Sequence, residues 1–232
     1  RYNGGGFLDI ASEFAYMIAG DARTTGNTFE TVEFNDKHPS VNPVTGQPIE
    51  PVPVHKTTQG FSGGTGQPLP SLNLDRVFVL TGSGTCSASE SVINSLRGVD
   101  VEVIQIGSTT CGKPYGFYPR DNCGTTYFTI QFRGVNAQSF GDYVDGFSPA
   151  NTTLDPGVTV PGCSVADDFS KALGDQAEDL LAAALAYRET PGDCPAPPVA
   201  RFVTRPSVGT SAWPVETGLP IKHPWLQNRT LR

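Results

Sequence analysis

The chain has 232 residues, a formal net charge of −7, 38% hydrophobic residues and 17% charged ones. That composition excludes a disordered chain, and the length suits one substantial domain with a small appendage. The acidic balance argues against a nucleic-acid partner, and no apolar run reaches the roughly 18 residues of a membrane span.

The chain opens on Arg1-Tyr2-Asn3-Gly4-Gly5-Gly6-Phe7, which reads as the interior of a domain, so upstream sequence, an export signal included, is expected. Apolar residues then recur with helical spacing from Phe7 to Ala19, and Gly20 is the expected stop. Phe29 to Phe34 alternates and predicts a half-buried strand. Residues 36–73 are rich in Pro, Gly, Thr and Gln without periodicity, which predicts a surface excursion or flap. Val77-Phe78-Val79-Leu80 reads as a fully buried strand. Ser87-Ala88-Ser89-Glu90 fits a capping box, and Val92, Ile93 and Leu96 continue as a helix that Gly98 ends. Val101 to Ile106 is a further strand. Strand, helix and strand in about thirty residues make a βαβ unit, which implies parallel strands. Tyr127 to Phe132 reads as one alternating strand. Ser164 to Leu173 and Gln176 to Arg188 read as two helices, with Asp167-Asp168 as a charged first turn rather than a metal site. From Pro191 the chain reads as a Pro-rich extended tail holding Trp213 and Trp225. The expected division is a core at 1–190 and an extension at 191–232.

Five cysteines lie at positions 86, 111, 123, 163 and 194, with no C-x-x-C pair and no histidine adjoining any of them, so neither zinc nor any other metal is expected. Cys111 with Cys123, and Cys163 with Cys194, are candidate disulfides that leave Cys86 unpaired; buried free thiols are the alternative. Disulfides would place the chain in an oxidising compartment. Asn151-Thr-Thr and Asn228-Arg-Thr match the glycosylation pattern, which is common by chance.

A second marked stretch, Gly107 to Gly116, places Lys113 between Gly112 and Pro114 just beyond a buried strand. In an open α/β sheet, groups at the carboxyl ends of parallel strands converge on one crevice. Ser87 follows the strand ending near Leu80 and Lys113 the strand ending at Ile106, so both are expected at the same edge, where an amine can take the hydroxyl proton. His38, His55 and His223 lie in Pro-rich segments and make a weak case for a Ser-His-Asp triad.

"CSASE", followed by a helix, a strand and "TTCGKPYG", resembles the serine–lysine C-terminal processing (tail-specific) proteases. "RYNGGG" resembles that family's D-L-R-x-N-x-G-G motif, and residues 163–187 resemble the helical end of its catalytic core. The resemblance covers roughly residues 1–190 and implies an α/β core of the ClpP/crotonase-like type. It implies Ser87 as nucleophile, Lys113 as general base, and the amides of Ala88 and Gly5 as oxyanion donors. Glu90 would be an orienting group, turned away from Lys113 because a nearby carboxylate would keep the amine charged. It also implies a polypeptide substrate, no cofactor, and work in the periplasm or cell envelope. The sequence departs from the family in having Phe117 where a Gln is common and Pro114 in place of a Gly, and the family's peptide-binding PDZ module is not among these residues. Two other classes stay open: a binding protein for an apolar ligand or peptide on the same fold, and a serine hydrolase acting on non-peptide esters.

Overall fold

A computed structural model of the chain describes residues 2–61, 63–153 and 157–198. Helix α1 spans Leu8–Thr24 and leads into β1 (Thr28–Glu33), β2 (Val52–Pro53) and β3 (Arg76–Thr81). Helix α2 (Ala88–Gly98) and β4 (Glu102–Gly107) follow, and then the short strands β5 (Tyr115–Gly116), β6 (Arg120–Asn122), β7 (Thr125–Tyr127) and β8 (Phe132–Val135). Strands β9 (Phe147–Pro149), β10 (Val158–Val160) and β11 (Gly162–Ser164) precede helix α3 (Asp179–Glu189).

The centre is a three-stranded parallel sheet in the order β11-β4-β3. Strand β3 pairs with β4 from Arg76 opposite Glu102 to Thr81 opposite Gly107, so β3-α2-β4 is the expected βαβ unit. Successive side chains of a strand face opposite sides of the sheet. Val77, Val79 and Val103 accordingly pack with α1 and α2, through Leu8, Ala15, Ile93 and Leu96. Phe78, Leu80, Ile104 and Ile106 pack on the other side with Leu180, Ala183 and Ala184 of α3. Covering both faces explains why these strands read as continuous apolar runs. Fully burying Ile93 or Leu96 stabilises the core by about 1.5–3 kcal/mol each. A second sheet, ordered β2-β1-β8-β5, is antiparallel in each of its pairings. The fold is therefore mixed α/β, as expected.

Several expectations are corrected. The first helical run of α1 stops at Gly20, at φ 65°, as expected, but helix resumes beyond it to Thr24. Any Cβ at Gly20 would meet Asn73 Oδ1 at 1.9 Å. Residues Tyr127 to Phe132 do not form one strand. Strand β7 ends at Tyr127 in an exposed hairpin with β6, whereas β8 starts at Phe132 and pairs with β1 and β5. One run serves two partners, and the chain must break between them. The helix expected at Ser164–Leu173 is absent. Asp168 instead accepts hydrogen bonds from the amide and hydroxyl of Ser170, local bonding that competes with a helix. Phe169 and Leu173 remain 81% and 69% exposed, so no buried face holds that segment helical. The following helix does form, with the Glu178 carboxylate accepting from the amides of Leu180 and Leu181.

The excursion at 36–73 holds β2 and isolated bridges between Val41 and Pro48 and between Thr57 and Pro68. It is tied along α1: Gln59 N donates to Glu13 Oε1, Leu72 N to Met17 O, and Leu74 N to Ile18 O. Residues 193–198 run without regular structure, and Trp213, Trp225, His223 and Asn228 lie outside the described residues. Among the described residues no helix is long and apolar enough to cross a membrane.

Candidate active site

The segment between β3 and α2 turns sharply at Ser87, whose φ of 58° and ψ of −121° are not helical. A positive φ on a non-glycine residue costs on the order of 1–3 kcal/mol and persists only where the surroundings enforce it. The enforcement comes from Glu90, one turn into α2. Its Oε2 accepts from Ser87 N at 2.9 Å, the backbone half of the expected capping box. Ser87 Oγ sits in the other half of the box, but it is buried and no group among the described residues meets it with hydrogen-bond geometry. An unsatisfied hydroxyl in a strained turn at a helix N-terminus is unfavourable for stability and suited to attack on a carbonyl.

Glu90 is itself fully buried. Besides Ser87 N, its carboxylate accepts from Lys113 N at 2.8 Å, Gly112 N at 2.8 Å and Thr110 Oγ1 at 2.6 Å. The expectation that Glu90 would turn away from Lys113 is corrected at the backbone: the carboxylate faces the Lys113 amide and ties the two loops together. Four donors are what make its burial tolerable. Thr110 Oγ1 also accepts from Phe147 N at 2.8 Å, which extends the network to β9.

Lys113 is half-buried, and the Pro114 that follows it is buried. Its Nζ lies 5.8 Å from the Phe117 ring centroid, within cation–π range, and Phe117 is 3% exposed and packs edge-on to Phe128. The Phe that stands where a Gln is common therefore lines the lysine's surroundings.

The glycine turn rests on the start of α2. A Cβ at Gly5 would meet Cys86 O, Ser87 Cβ and Ala88 N at 2.8–2.9 Å, so only glycine fits there at φ 101°. Asn3, not singled out from the sequence, holds the turn: its Oδ1 accepts from Gly5 N at 2.8 Å and from Ser89 Oγ at 2.8 Å. The Gly5 amide is thus engaged by Asn3, whereas none of the described residues accepts from the Ala88 amide. The N-terminus of α2 adds its partial positive charge at this point.

The expected pairing of Cys111 with Cys123 is corrected. Cys86 is bonded to Cys111, and Cys123 is an exposed free thiol at the β6–β7 turn. The Cys163–Cys194 pair forms as one of the expected alternatives. The signal was present: if Ser87 and Lys113 converge, the cysteines one residue before the first and two before the second converge with them. Cys86, Glu90 and Cys111 bring ligand-type atoms within 4.8 Å of one another, but sulfurs bonded to each other offer no thiolate to a metal. His55 Nε2 lies 3.3 Å from Asp9 Oδ1.

No protein-family model and no curated protein matches the chain. Among solved structures it is similar to a Bacteroides fragilis protein assigned by inference to the S41 proteases, with a TM-score of 0.61 and 24% identity over 82% of this chain. The chain spans 43% of that protein's length. A photosystem II D1 C-terminal processing protease matches with a TM-score of 0.41 and 20% identity, over 63% of this chain and 31% of its own. The first of these likenesses shows that the chain shares the mixed α/β fold of that protein.

Proposed function

We propose that the chain is the catalytic part of a serine peptidase of the C-terminal processing type, with Ser87 as nucleophile and Lys113 as general base. The observation that carries the reading is Ser87 itself, a buried hydroxyl without a partner in a strained turn, whose amide shares one carboxylate oxygen with the amide of Lys113. Ser87 Oγ attacks the substrate carbonyl and its proton passes to Lys113 Nζ. The Ala88 amide and the α2 N-terminus face the developing oxyanion, and the Gly5 amide joins them when the substrate oxygen displaces Asn3 Oδ1. Collapse expels the amine, which takes the proton from Lys113, and water then releases the acyl group. A free lysine titrates near ~10.4, and a catalytic one works best near ~7–8, so the site must favour the neutral amine by about 4 kcal/mol.

Two disulfides favour an oxidising compartment such as the cell envelope. The excursion at 36–73 runs beside the oxyanion turn, with Phe61 5.1 Å from Phe7, and we assign it as a flap over the substrate. Residues 1–190 form the catalytic core in this reading and 191–232 an extension.

The test is labelling by a serine-reactive fluorophosphonate together with cleavage of peptides bearing free carboxyl termini. Labelling lost in Ser87→Ala and cleavage of such peptides support the reading. Labelling with hydrolysis of simple esters alone points to a non-peptide hydrolase, and no labelling at any pH points to a binding protein.

A further inference from the structure

The Cys86–Cys111 bond joins the nucleophile turn to the lysine loop across 25 positions of sequence, around α2 and β4. Cys111 is an exposed residue, whereas in the other disulfide Cys163 is 0% exposed and Cys194 half-buried. Exposed disulfides are the readily reduced ones. Cys111 Sγ also lies 3.5 Å from Glu90 Oε2, the oxygen that accepts from both Ser87 N and Lys113 N. A disulfide sulfur has no hydrogen to donate. A thiol has one, and it would compete with the two amides for that oxygen.

We infer that the Cys86–Cys111 disulfide is a redox-sensitive lock on the site, opened by a dithiol reductant, and that its opening lowers the reactivity of Ser87. This rests on the peptidase reading of the same site. One thiolate of the dithiol attacks Cys111 Sγ, the S–S bond breaks, and Cys86 leaves as a thiolate that takes up a proton. The second thiol of the reductant then attacks the mixed disulfide and releases Cys111. Two electrons pass to the protein, which gains two thiols, and the dithiol ends as a disulfide. With the bond open, the loops at 85–87 and 110–113 are held by the Glu90 bonds and by Cys111 N donating to Thr85 O at 3.0 Å. A shift of about 1 Å between nucleophile and base costs on the order of a hundredfold in rate, so a partial loosening should cost about tenfold.

The experiment uses the full chain carrying Cys123→Ser, which removes the exposed thiol that would reshuffle bonds. Graded dithiothreitol, alkylation and peptide mass spectrometry identify which bond has opened, while fluorophosphonate labelling of Ser87 is timed in parallel. The expected result is that Cys86–Cys111 opens before Cys163–Cys194, labelling slows by about tenfold, and reoxidation restores it. Both bonds opening together, or unchanged labelling with Cys86–Cys111 open, overturns the inference. If Ser87 labels in neither state, the peptidase reading fails, and amide hydrogen exchange decides the lock by itself. Faster exchange at Ser87, Gly112 and Lys113 on selective reduction then upholds it, and unchanged exchange overturns it.

Discussion

Ser87 and Lys113 donate their backbone amides to the same oxygen, Oε2 of Glu90, at 2.9 and 2.8 Å, so the two nitrogens lie no farther apart than those lengths added together. A buried carboxylate thereby sets the distance between the two loops proposed to carry the chemistry. Glu90→Gln keeps the size but turns an NH2 group toward amides that need an acceptor. Leaving a buried amide unsatisfied costs about 1–3 kcal/mol. The expected outcome is a lower melting temperature together with labelling of Ser87 slowed by about tenfold or more. Wild-type values for both would show that the carboxylate does not set the geometry.

Lys113→Ala removes the proposed base without touching the amide that Glu90 holds. General-base catalysis is worth about 10²–10⁴-fold, and peptide cleavage should fall by that much with the melting temperature nearly unchanged. Cleavage at the wild-type rate would refute the assignment of the base.

Gly5→Ala places a methyl group at 2.8 Å from Cys86 O and Ser87 Cβ and at 2.9 Å from Ala88 N, all rigid neighbours, at a φ of 101°. The turn should lift away from α2, slowing acylation by about ten- to a hundredfold. Asn3→Ala, which frees the Gly5 amide and leaves Ser89 Oγ only the Asn3 backbone oxygen, without a steric clash, should have a smaller effect on rate. If Asn3→Ala proved the more damaging in timed labelling, the close packing of Gly5 would not be what the site depends on.

The Asp168 carboxyl is held at about 2, below its usual 3.8, first by the Ser170 hydroxyl, then by the Ser170 amide and Lys171. A carboxyl depressed in the folded state contributes stability that is present above 3.8 and is lost as pH falls through about 2. In Ser170→Ala the Asp168 titration should move up toward 3.8, as read by carboxyl carbon NMR, with neutral-pH labelling of Ser87 unaffected. An unmoved titration would remove the hydroxyl as the cause.

The parts of this protein legible from its sequence are those written in short-range periodicity. The strand at Val77–Leu80, the helix after Ser87 and the strand ending at Ile106 all form within a residue or two of where their apolar spacing put them. Their connection as a βαβ unit then sends Ser87 and Lys113 to one edge, because parallel strands end on the same side. Where local pattern and packing disagreed, packing prevailed. Ser164–Leu173 has helical spacing and no helix, since Phe169 and Leu173 stay largely exposed and Asp168 bonds to Ser170 instead.

The sequence by itself determined the α/β class, the order of its central elements and the pair of residues on which the proposed chemistry depends. Only the tertiary structure decided that Cys86 bonds Cys111, that Glu90 turns toward the lysine loop, and that Asn3 holds the glycine turn against α2. The reason is range. A helix or strand is stabilised by neighbours a few positions away, whereas a disulfide or a shared carboxylate depends on segments about 20 or more positions apart meeting at one point, which packing alone determines.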